Sequence, residues 1–244
     1  MERLYSRHAV HECLRAGRRR VHRVLIAEGV EDAPILRAIR QLAEARRIPV
    51  LSVPRQQINA ISPQAQGVVA ETSSYPYQDF DDLLRGLDEV AEPLLLVLDG
   101  LQDPHNVGNL LRTAEAVGVF GVVLGQRRGV GITPAVVNAS SGASEHLRIA
   151  QVVNLARAVE TLKARDVWVA ALHGAAEQTI YQADLRGRLA LIVGGEGEGV
   201  HRLLRERADF VLRIPMRGQV ASLNAATAGA VALYEAFRQR GRDL

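Results

Sequence analysis

The 244 residues are 48% apolar, enough to bury a core in one large domain or two smaller ones. No apolar run approaches the roughly 20 residues of a membrane span, and the N-terminus lacks a secretory signal core. One cysteine, Cys13, and seven scattered histidines exclude an internal disulfide and argue against a metal site. The net charge is only +3, yet residues 1–55 hold twelve arginines against six acidic residues. We therefore expect a cytoplasmic protein with a polyanionic partner, no membrane partner and no metal.

Residues 1–75 alternate short helical and strand patterns, which predict a small α/β domain. The predicted elements are a helix over 7–16, a strand over 22–27, a helix over 33–46, a strand over 48–53, a short helix after Pro54 and a strand over 67–72. Residues 76–93 contain an acidic cluster and one amphipathic helical pattern, so we interpret them as a linker.

A second α/β pattern fills residues 94–244 and predicts a mostly parallel sheet with helices on both faces. Strands are predicted over 94–99, 120–125, 167–172, 188–195 and 209–215, and helices over 107–117, 153–165, 200–207 and about 222–240. Trp168 lies in one of these apolar strands, so we expect it in the core. Ligand sites in such sheets lie at the carboxyl ends of the strands.

The first loop at such a strand end runs from Asp99 to Arg112. In the simpler interpretation it is an ordinary turn that Asp103-Pro104 begins, with Asn106 capping the following helix. In the second interpretation it binds a ligand. An arginine near a helix start, where the helix dipole disfavours a cation, favours that second interpretation.

The second loop, Leu191-Ile-Val-Gly-Gly-Glu-Gly-Glu-Gly-Val200, is rich in glycine and follows a strand. Such loops often hold a nucleotide phosphate, but Glu196 and Glu198 would repel a pyrophosphate. Carboxylates among exposed backbone amides suit a ligand with cationic groups, such as the sulfonium and ammonium of S-adenosylmethionine. The third loop continues from Ile214-Pro-Met to Ser222-Leu-Asn224 and opens a helix of small residues, where Ser222 or Asn224 could be the cap.

Together the three loops resemble the motifs of the SpoU/TrmH branch of the SPOUT RNA 2′-O-ribose methyltransferases. The matching residues are Asn106-Val-Gly…Arg112, Gly194-Gly-Glu-Gly197 and Ile214-Pro-Met…Ser222-Leu-Asn224. The first 75 residues resemble the ribosomal-protein-L30e-like domain of a subgroup that methylates a guanosine ribose in large-subunit (23S) rRNA. The likeness to this subgroup rests on Arg7-His-Ala-Val, Gln66-Gly-Val-Val-Ala70 and, beyond the first 75 residues, Ser141-Gly-Ala-Ser-Glu145-His. The subgroup usually has a histidine where this chain has Ala65.

The resemblance implies a C-terminal trefoil knot, a homodimer with each active site at the subunit interface, and S-adenosylmethionine as cofactor, with S-adenosylhomocysteine as product. It places the cofactor against Leu172, Gly174, Gly194, Glu196, Gly197, Ile214, Met216 and Leu223. It assigns catalysis to Asn106, Arg112, Glu196, Ser222 and Asn224. RNA contacts are expected from Arg7, Arg18, Arg19, Arg20 and Gln66.

In this interpretation Arg112 either removes the proton of the ribose hydroxyl or binds a phosphate and stabilises the developing alkoxide. Arginine is almost always protonated, which favours the second role. Three alternatives remain open: the same chemistry on tRNA or another rRNA site, a non-catalytic RNA-binding or ribosome-assembly factor, and a dinucleotide-dependent enzyme. The intact set of motif residues disfavours the second, and the acidic glycine loop disfavours the third.

Overall fold

The computed structural model describes residues 1–197, 199–220 and 222–241, and the chain divides into two compact units. The first unit contains Met1–Pro76 and Ile132–His146, and the second contains Tyr77–Gly131 and Leu147–Leu244. The segment Ile132–His146 is thus part of the first unit, although it lies within the predicted domain over residues 94–244.

The first unit contains a four-stranded sheet in the order β1-β4-β2-β3. β1 and β2 are antiparallel to β4, and β2 is parallel to β3. The elements are β1 (Glu2–Tyr5), α1 (Arg7–Ala16), β2 (Val21–Ala27), α2 (Pro34–Ala45), β3 (Val50–Val53), α3 (Arg55–Ile61) and β4 (Val68–Thr72). Each predicted helix and strand of residues 1–75 is present, and β1 is an additional strand.

Helix periodicity explains how the core of the first unit forms. In α2, Leu36, Ile39 and Ala43 recur at helical spacing and are fully buried, so one stripe faces the sheet. In α1, Cys13 is among the buried residues, and its burial raises the pKa of the thiol to about 12. α1 ends at Gly17, which adopts the left-handed conformation that glycine tolerates best.

A buried ion pair joins the segment Ile132–His146 to the rest of the first unit. Nε of Arg19 donates to both carboxylate oxygens of Glu145 at 3.0 Å, and neither side chain has exposed surface. Glu2 forms a further ion pair with Arg19, and the guanidinium lies 4.9 Å from the ring centre of Tyr75. The prediction that Arg19 contacts RNA is therefore wrong, because its charge is neutralised inside the protein.

The second unit contains a seven-stranded sheet in the order β7-β6-β5-β10-β8-β11-β9, and its strand pairings within the described residues are all parallel. Its strands are β5 (Leu94–Asp99), β6 (Gly121–Gly125), β7 (Ile149–Val152), β8 (Trp168–Leu172), β9 (Gln178–Thr179), β10 (Leu189–Gly194) and β11 (Phe210–Arg213). Its helices are α4 (Phe80–Leu87), α5 (Pro104–Ala116), α7 (Leu155–Lys163), α8 (Arg202–Arg207) and α9 (Ala225–Gln239). The helix between β6 and β7, α6 (Pro134–Ala139), and the 3-10 turn Ala143–Glu145 belong to the first unit.

Helices cover both faces of this sheet, as the sequence predicts. Side chains of α4, α7 and α8 share one buried cluster with alternate residues of the strands, including Leu95 and Val97. On the other face α5 and α9 pack together, and Gly229 of α9 lies directly against Leu110 and Val193. Trp168 does not join either layer: it is 56% exposed, so its predicted core position is wrong.

The strand order brings the three loops together. β5, β10, β8 and β11 are consecutive neighbours, and parallel strands have their carboxyl ends at the same edge. The loops that follow Asp99, Leu172, Gly194 and Arg213 therefore leave one edge of the sheet side by side. This edge is where the sequence predicts a ligand site.

Candidate active site

Asn106 lies in the first turn of α5, but its side chain does not cap this helix. Asp103 is the cap of this helix: its carboxylate accepts a hydrogen bond from the backbone N–H of His105 at 2.9 Å. Pro104 occupies the first helical turn, as is usual just after a cap. The interpretation of Asn106 as the cap is therefore wrong, and its buried side chain is left available for partners outside the helix.

Asn224 begins α9 and also contacts Asn106. Its Oδ1 accepts hydrogen bonds from the backbone N–H groups of Ala226 at 2.9 Å and Thr227 at 3.3 Å. Its Nδ2 donates to Oδ1 of Asn106 at 2.9 Å. The cap of α9 is thus Asn224 and not Ser222, and the same side chain connects two helix starts.

The cap at Asn224 determines which group donates and which accepts in each hydrogen bond that links Asn224, Asn106 and Glu196. Because the Asn224 oxygen must face the helix N–H groups, only its Nδ2 can point to Asn106, which must then accept through oxygen. Nδ2 of Asn106 is thereby turned to Glu196 and donates a hydrogen bond to its Oε1. We call this arrangement the Asn224–Asn106–Glu196 row. The row ends at the carboxylate of Glu196, which acts as a hydrogen-bond acceptor and not as a donor.

Asp99 holds both ends of the glycine loop that carries Glu196. Its backbone oxygen accepts from N–H of Gly195 at 2.9 Å, and its side chain accepts from N–H of His201 at 2.7 Å. A Cβ at Gly194 would collide with the backbone of Gly199 and Val200, so only glycine allows this close approach. Glu198, which the sequence also singles out, lies outside the described residues.

A cavity of about 640 Å³ opens beside the row, a size typical of sites for small molecules and cofactors. All eight residues predicted to contact the cofactor line it, together with Ser222 and Asn224. Its wall combines glycine backbone with apolar side chains such as Leu172, Ile214 and Met216. A second cavity of about 150 Å³ is lined by Gly100, Leu101, Gln102, Asp103, Asn106, Glu196 and Ala225. Glu196 thus borders both cavities.

Arg112 lies apart from the other predicted catalytic residues of this chain. It is exposed on α5 and lines neither cavity. Six residues along an α-helix correspond to a rotation of about 240° between Asn106 and Arg112, so the two side chains leave different faces of the helix. Four of the five predicted catalytic residues are brought together, and Arg112 is not one of them.

His173 borders the large cavity without having been singled out in the sequence. Its Nε2 lies 2.6 Å from Nη1 of Arg205 on α8. Partial burial and the nearby guanidinium both lower the pKa of this imidazole, so the ring is neutral at neutral pH and Nε2 accepts the hydrogen bond. No local motif marks the pair, because its two members are 32 residues apart on different elements.

The other predicted RNA-binding residues lie in the first unit with accessible surface. Nε of Arg7 donates to the backbone oxygen of Gln66 at 3.1 Å, Arg18 is half-buried beside Tyr75, and Arg20 is exposed. Ala65 is fully buried in a small apolar cluster. The side chain at the position of the usual histidine therefore does not reach RNA in this fold, whereas the adjacent Gln66 is exposed.

Two further features concern metal ions and membranes. Among the described residues, no group of three or more His, Cys, Asp or Glu side chains is arranged to hold a metal ion. None of the helices in the described ranges combines the length and apolar character needed to cross a membrane.

Comparison with known proteins covers both units. Residues 93–234 match the SpoU rRNA Methylase family, and residues 4–78 match the family described as RNA 2′-O ribose methyltransferase substrate binding. The 23S rRNA (guanosine-2′-O-)-methyltransferase RlmB of Pseudomonas putida is 42% identical, with 98% of this chain and 97% of that protein aligned. A putative TrmH family tRNA/rRNA methyltransferase of Bacillus subtilis, YacO, is 40% identical over 96% of this chain and 94% of its own length.

Solved structures show the same fold. The AdoMet-bound rRNA methyltransferase from Sinorhizobium meliloti superposes with a TM-score of 0.80 at 25% identity, covering 97% of this chain and 87% of that chain. The match thus includes both the substrate-binding unit and the sheet that carries the Asn224–Asn106–Glu196 row. The sequence motifs, the fold and the relatives agree, and the chain belongs to the SpoU rRNA methylase family.

Proposed function

We propose that this protein transfers a methyl group from S-adenosylmethionine to the 2′-hydroxyl of a guanosine in 23S rRNA. The single observation that carries the proposal is the Asn224–Asn106–Glu196 row at the junction of two cavities. A reaction between a cofactor and a nucleotide needs two adjoining sites with fixed polar groups between them. The relatives named as 23S rRNA (guanosine-2′-O-)-methyltransferases supply the choice of substrate.

The large cavity suits S-adenosylmethionine in size and in chemistry. Its apolar side chains fit an adenine ring, and its glycine residues, which have no side chain, let a ligand approach the backbone closely. The carboxylate of Glu196 on its border matches the cationic groups of this cofactor. When bound, S-adenosylmethionine supplies an electrophilic methyl group and leaves as S-adenosylhomocysteine, and the reaction uses no metal.

The residues of the row hold the reacting groups in position and do not exchange protons with them. Asn224 and Asn106 orient Glu196 by directed hydrogen bonds, so the carboxylate remains fixed when a ligand enters. Ser222 borders the same cavity and lies within reach of a bound ligand. In this scheme Arg112 binds a phosphate of the target RNA and stabilises the ribose oxygen as it loses its proton, in keeping with its permanent charge.

We propose a homodimer in which Arg112 of one protomer completes the active site of its partner. The support is geometric: Arg112 is exposed and leaves α5 on a different face from Asn106. A site at a two-fold interface would reconcile this position with a catalytic role.

The family further implies a trefoil knot at the carboxyl end of the chain, cytoplasmic location, and RNA contacts from Arg7, Arg18, Arg20 and Gln66.

Methylation mapping in cells tests the proposed function directly. Ribose methylation in 23S rRNA is compared between a deletion strain, the complemented strain and a strain carrying Asn106→Ala. We expect one guanosine to lose its 2′-O-methyl group on deletion and to regain it only with the wild-type gene. Unchanged 23S rRNA together with a lost methyl group in tRNA would overturn the choice of substrate, and unchanged methylation in all RNA would overturn the activity.

A further inference from the structure

The loop 126–131 lies at the same edge of the sheet as the active site. It follows β6, which pairs in parallel with β5, so it leaves the sheet beside the loop that begins at Asp99. Its sequence, Gln126-Arg127-Arg128-Gly129-Val130-Gly131, contains two consecutive arginines. Both arginines are exposed.

This loop packs directly against the wall of the small cavity. N–H of Val130 donates to the backbone oxygen of Leu101 at 2.8 Å, and Leu101 lines that cavity together with Asn106 and Glu196. A Cβ at Gly129 would lie 3.1 Å from the same Leu101 oxygen, which indicates how closely the two backbones approach. The loop that carries the two arginines therefore contacts a residue of the cavity that Asn106 and Glu196 also line.

The conformation of Arg128 is unfavourable for a residue with a side chain. Its φ of 67° lies in the left-handed region, where a Cβ crowds the backbone and glycine is preferred. No hydrogen bond or ion pair within the described ranges involves the side chain of Arg127 or Arg128. Since no side-chain hydrogen bond or ion pair in the described part of the chain holds Arg128 in this strained conformation, the strained position points to a ligand outside the fold.

The charges around the small cavity explain why an RNA phosphate would need Arg127 and Arg128 in order to bind there. Asp103 and Glu196 line it, and no basic residue does so among the described residues. An RNA phosphate brought to this place would be repelled by two carboxylates. Guanidinium groups at the rim offset that repulsion and bind phosphate oxygens through paired N–H donors.

We propose that Arg127 and Arg128 form a phosphate clamp that holds the RNA backbone next to the nucleotide being methylated. They are positioning residues, because they fix the place of the RNA and do not touch the reacting atoms. The clamp rests on the proposed function, in that its ligand is the RNA substrate. Contacts to phosphate set affinity and register and do not select a base sequence.

The experiment compares Arg127→Gln, Arg128→Gly and the double variant with wild type. Arg186→Gln is the matched control: this arginine is exposed, pairs with Asp184 and precedes β10, so it lies at the opposite edge of the sheet. The dissociation constant of a fluorescein-labelled 23S rRNA fragment is measured by anisotropy at several salt concentrations. Steady-state methyl transfer gives KM and kcat, and calorimetry gives the affinity for S-adenosylmethionine.

For the double variant we expect the RNA dissociation constant and the RNA KM to rise by roughly 10-fold or more. The slope of log affinity against log salt should become shallower by about 0.7–0.9 for each phosphate that the protein no longer neutralises. The affinity for S-adenosylmethionine and kcat at saturating RNA stay near wild type, and Arg186→Gln changes none of these values.

Arg128→Gly separates a structural role from RNA binding, because glycine relieves the backbone strain and should fold at least as well. A variant that melts at or above the wild-type temperature yet binds RNA as tightly would overturn the clamp for Arg128. An equal loss of affinity in Arg186→Gln would overturn it as well, since the effect would then be general charge. If the wild-type protein binds this RNA but transfers no methyl group, the proposed function fails, and anisotropy still decides the clamp.

Discussion

The side chain of Asn224 donates to the side-chain oxygen of Asn106 at 2.9 Å, and it can do so in one orientation only. Its own oxygen is occupied by two N–H groups at the start of α9. The start of one helix thus dictates the orientation of an amide on another helix, and through it the position of Glu196. A polar row assembled in this way is rigid without any charge pair, since each amide has only one satisfactory orientation.

Replacing Asn224 by Asp tests this directionality. Aspartate caps a helix about as well as asparagine, so we expect the stability of the variant to stay close to wild type. Its carboxylate cannot donate to Asn106, however, and any flip of Asn106 then turns an oxygen towards Glu196. We expect kcat for methyl transfer to fall at least 10-fold, measured with a 23S rRNA fragment, with melting followed in parallel.

Asn224→Ala and Asn224→Ser complete the series. Alanine removes both the cap and the donor, so the unfolding free energy should fall by about 1 kcal/mol in addition to the loss of activity. Serine keeps a cap but lacks an amide donor, so it should resemble aspartate in activity without adding a charge. Wild-type kcat in both the Asp and Ser variants would show that the row has no part in the reaction.

Much of the fold follows from local patterns in the sequence. The strand Leu94–Asp99 is a continuous apolar run ending in Asp-Gly, and α1 ends where Gly17 permits a left-handed residue. β1 escapes detection because it is a four-residue strand with a single buried side chain, too short to show an alternating pattern. Trp168 shows that an apolar strand pattern does not reveal which end of the strand is exposed.

The sequence predicts which loops form the site, but it does not predict the hydrogen bonds within the site. The strand order explains why the three motif loops meet, but the choice between Asp103 and Asn106 as the cap of α5 depends on backbone geometry. The prediction that Arg19 contacts RNA is wrong for a different reason, because its partner Glu145 lies 126 residues away in the sequence. A cluster of arginines in sequence therefore does not separate exposed charges from one buried in an ion pair.

Removing the carboxylate of Asp99 should loosen the cofactor site. In Asp99→Ala the N–H of His201 loses its acceptor, so one end of the glycine loop is released while Gly195 remains bound to the backbone. We expect the dissociation constant for S-adenosylmethionine to rise by roughly 10-fold, the effect of about 1.4 kcal/mol, as measured by calorimetry. Asp209→Ala is a useful comparison, because Asp209 also accepts from a backbone N–H, that of Val169, but lines neither cavity. An equal loss of cofactor affinity in both variants would indicate general destabilisation.

The His173–Arg205 pair predicts a pH dependence of stability. The pKa of His173 is lowered from its ordinary value of 6.5 by burial and by Arg205, so the unfolded chain binds a proton more readily than the folded one. Stability from this group is therefore complete above about pH 6.5 and is lost as the pH falls towards the folded pKa. The midpoint of urea unfolding is compared between pH 8 and pH 5 for wild type and His173→Asn. The variant should lose less stability on acidification, and an identical loss in both proteins would rule out His173 as its source.

The buried Arg19–Glu145 pair predicts a large loss of stability on removal of one charge. Glu145→Gln keeps the shape of the side chain but leaves Arg19 with Glu2 as its one charged partner among the described residues, so we expect the unfolding free energy to fall by about 3 kcal/mol or more. Chemical denaturation measures this change. The exposed pair between Arg37 and Asp32 provides the contrast, since Asp32→Asn should leave stability within experimental error. A similar result for both carboxylates would mean that Glu145 is not buried as described.

Mixing two inactive variants tests whether Arg112 acts across a dimer interface. Arg112→Ala lacks the proposed phosphate-binding group, and Asn106→Ala lacks the row beside the cofactor cavity. If both groups of a site come from one protomer, mixed dimers keep one defect in each site and remain inactive. If Arg112 serves the partner, one site of each mixed dimer receives both defects and the other receives none. Random exchange of subunits then restores about one quarter of wild-type activity.

The readout is methyl transfer to a 23S rRNA fragment after the two variants have been unfolded and refolded together. Each variant refolded alone is the control for residual activity, and sedimentation shows whether dimers form. Recovery of activity on mixing places Arg112 in the partner's site, because no other arrangement produces a complete site from these two proteins. Dimers without recovery would place Arg112 in the site of its own protomer, and its exposed position on α5 would then require movement of the helix or of the RNA towards it.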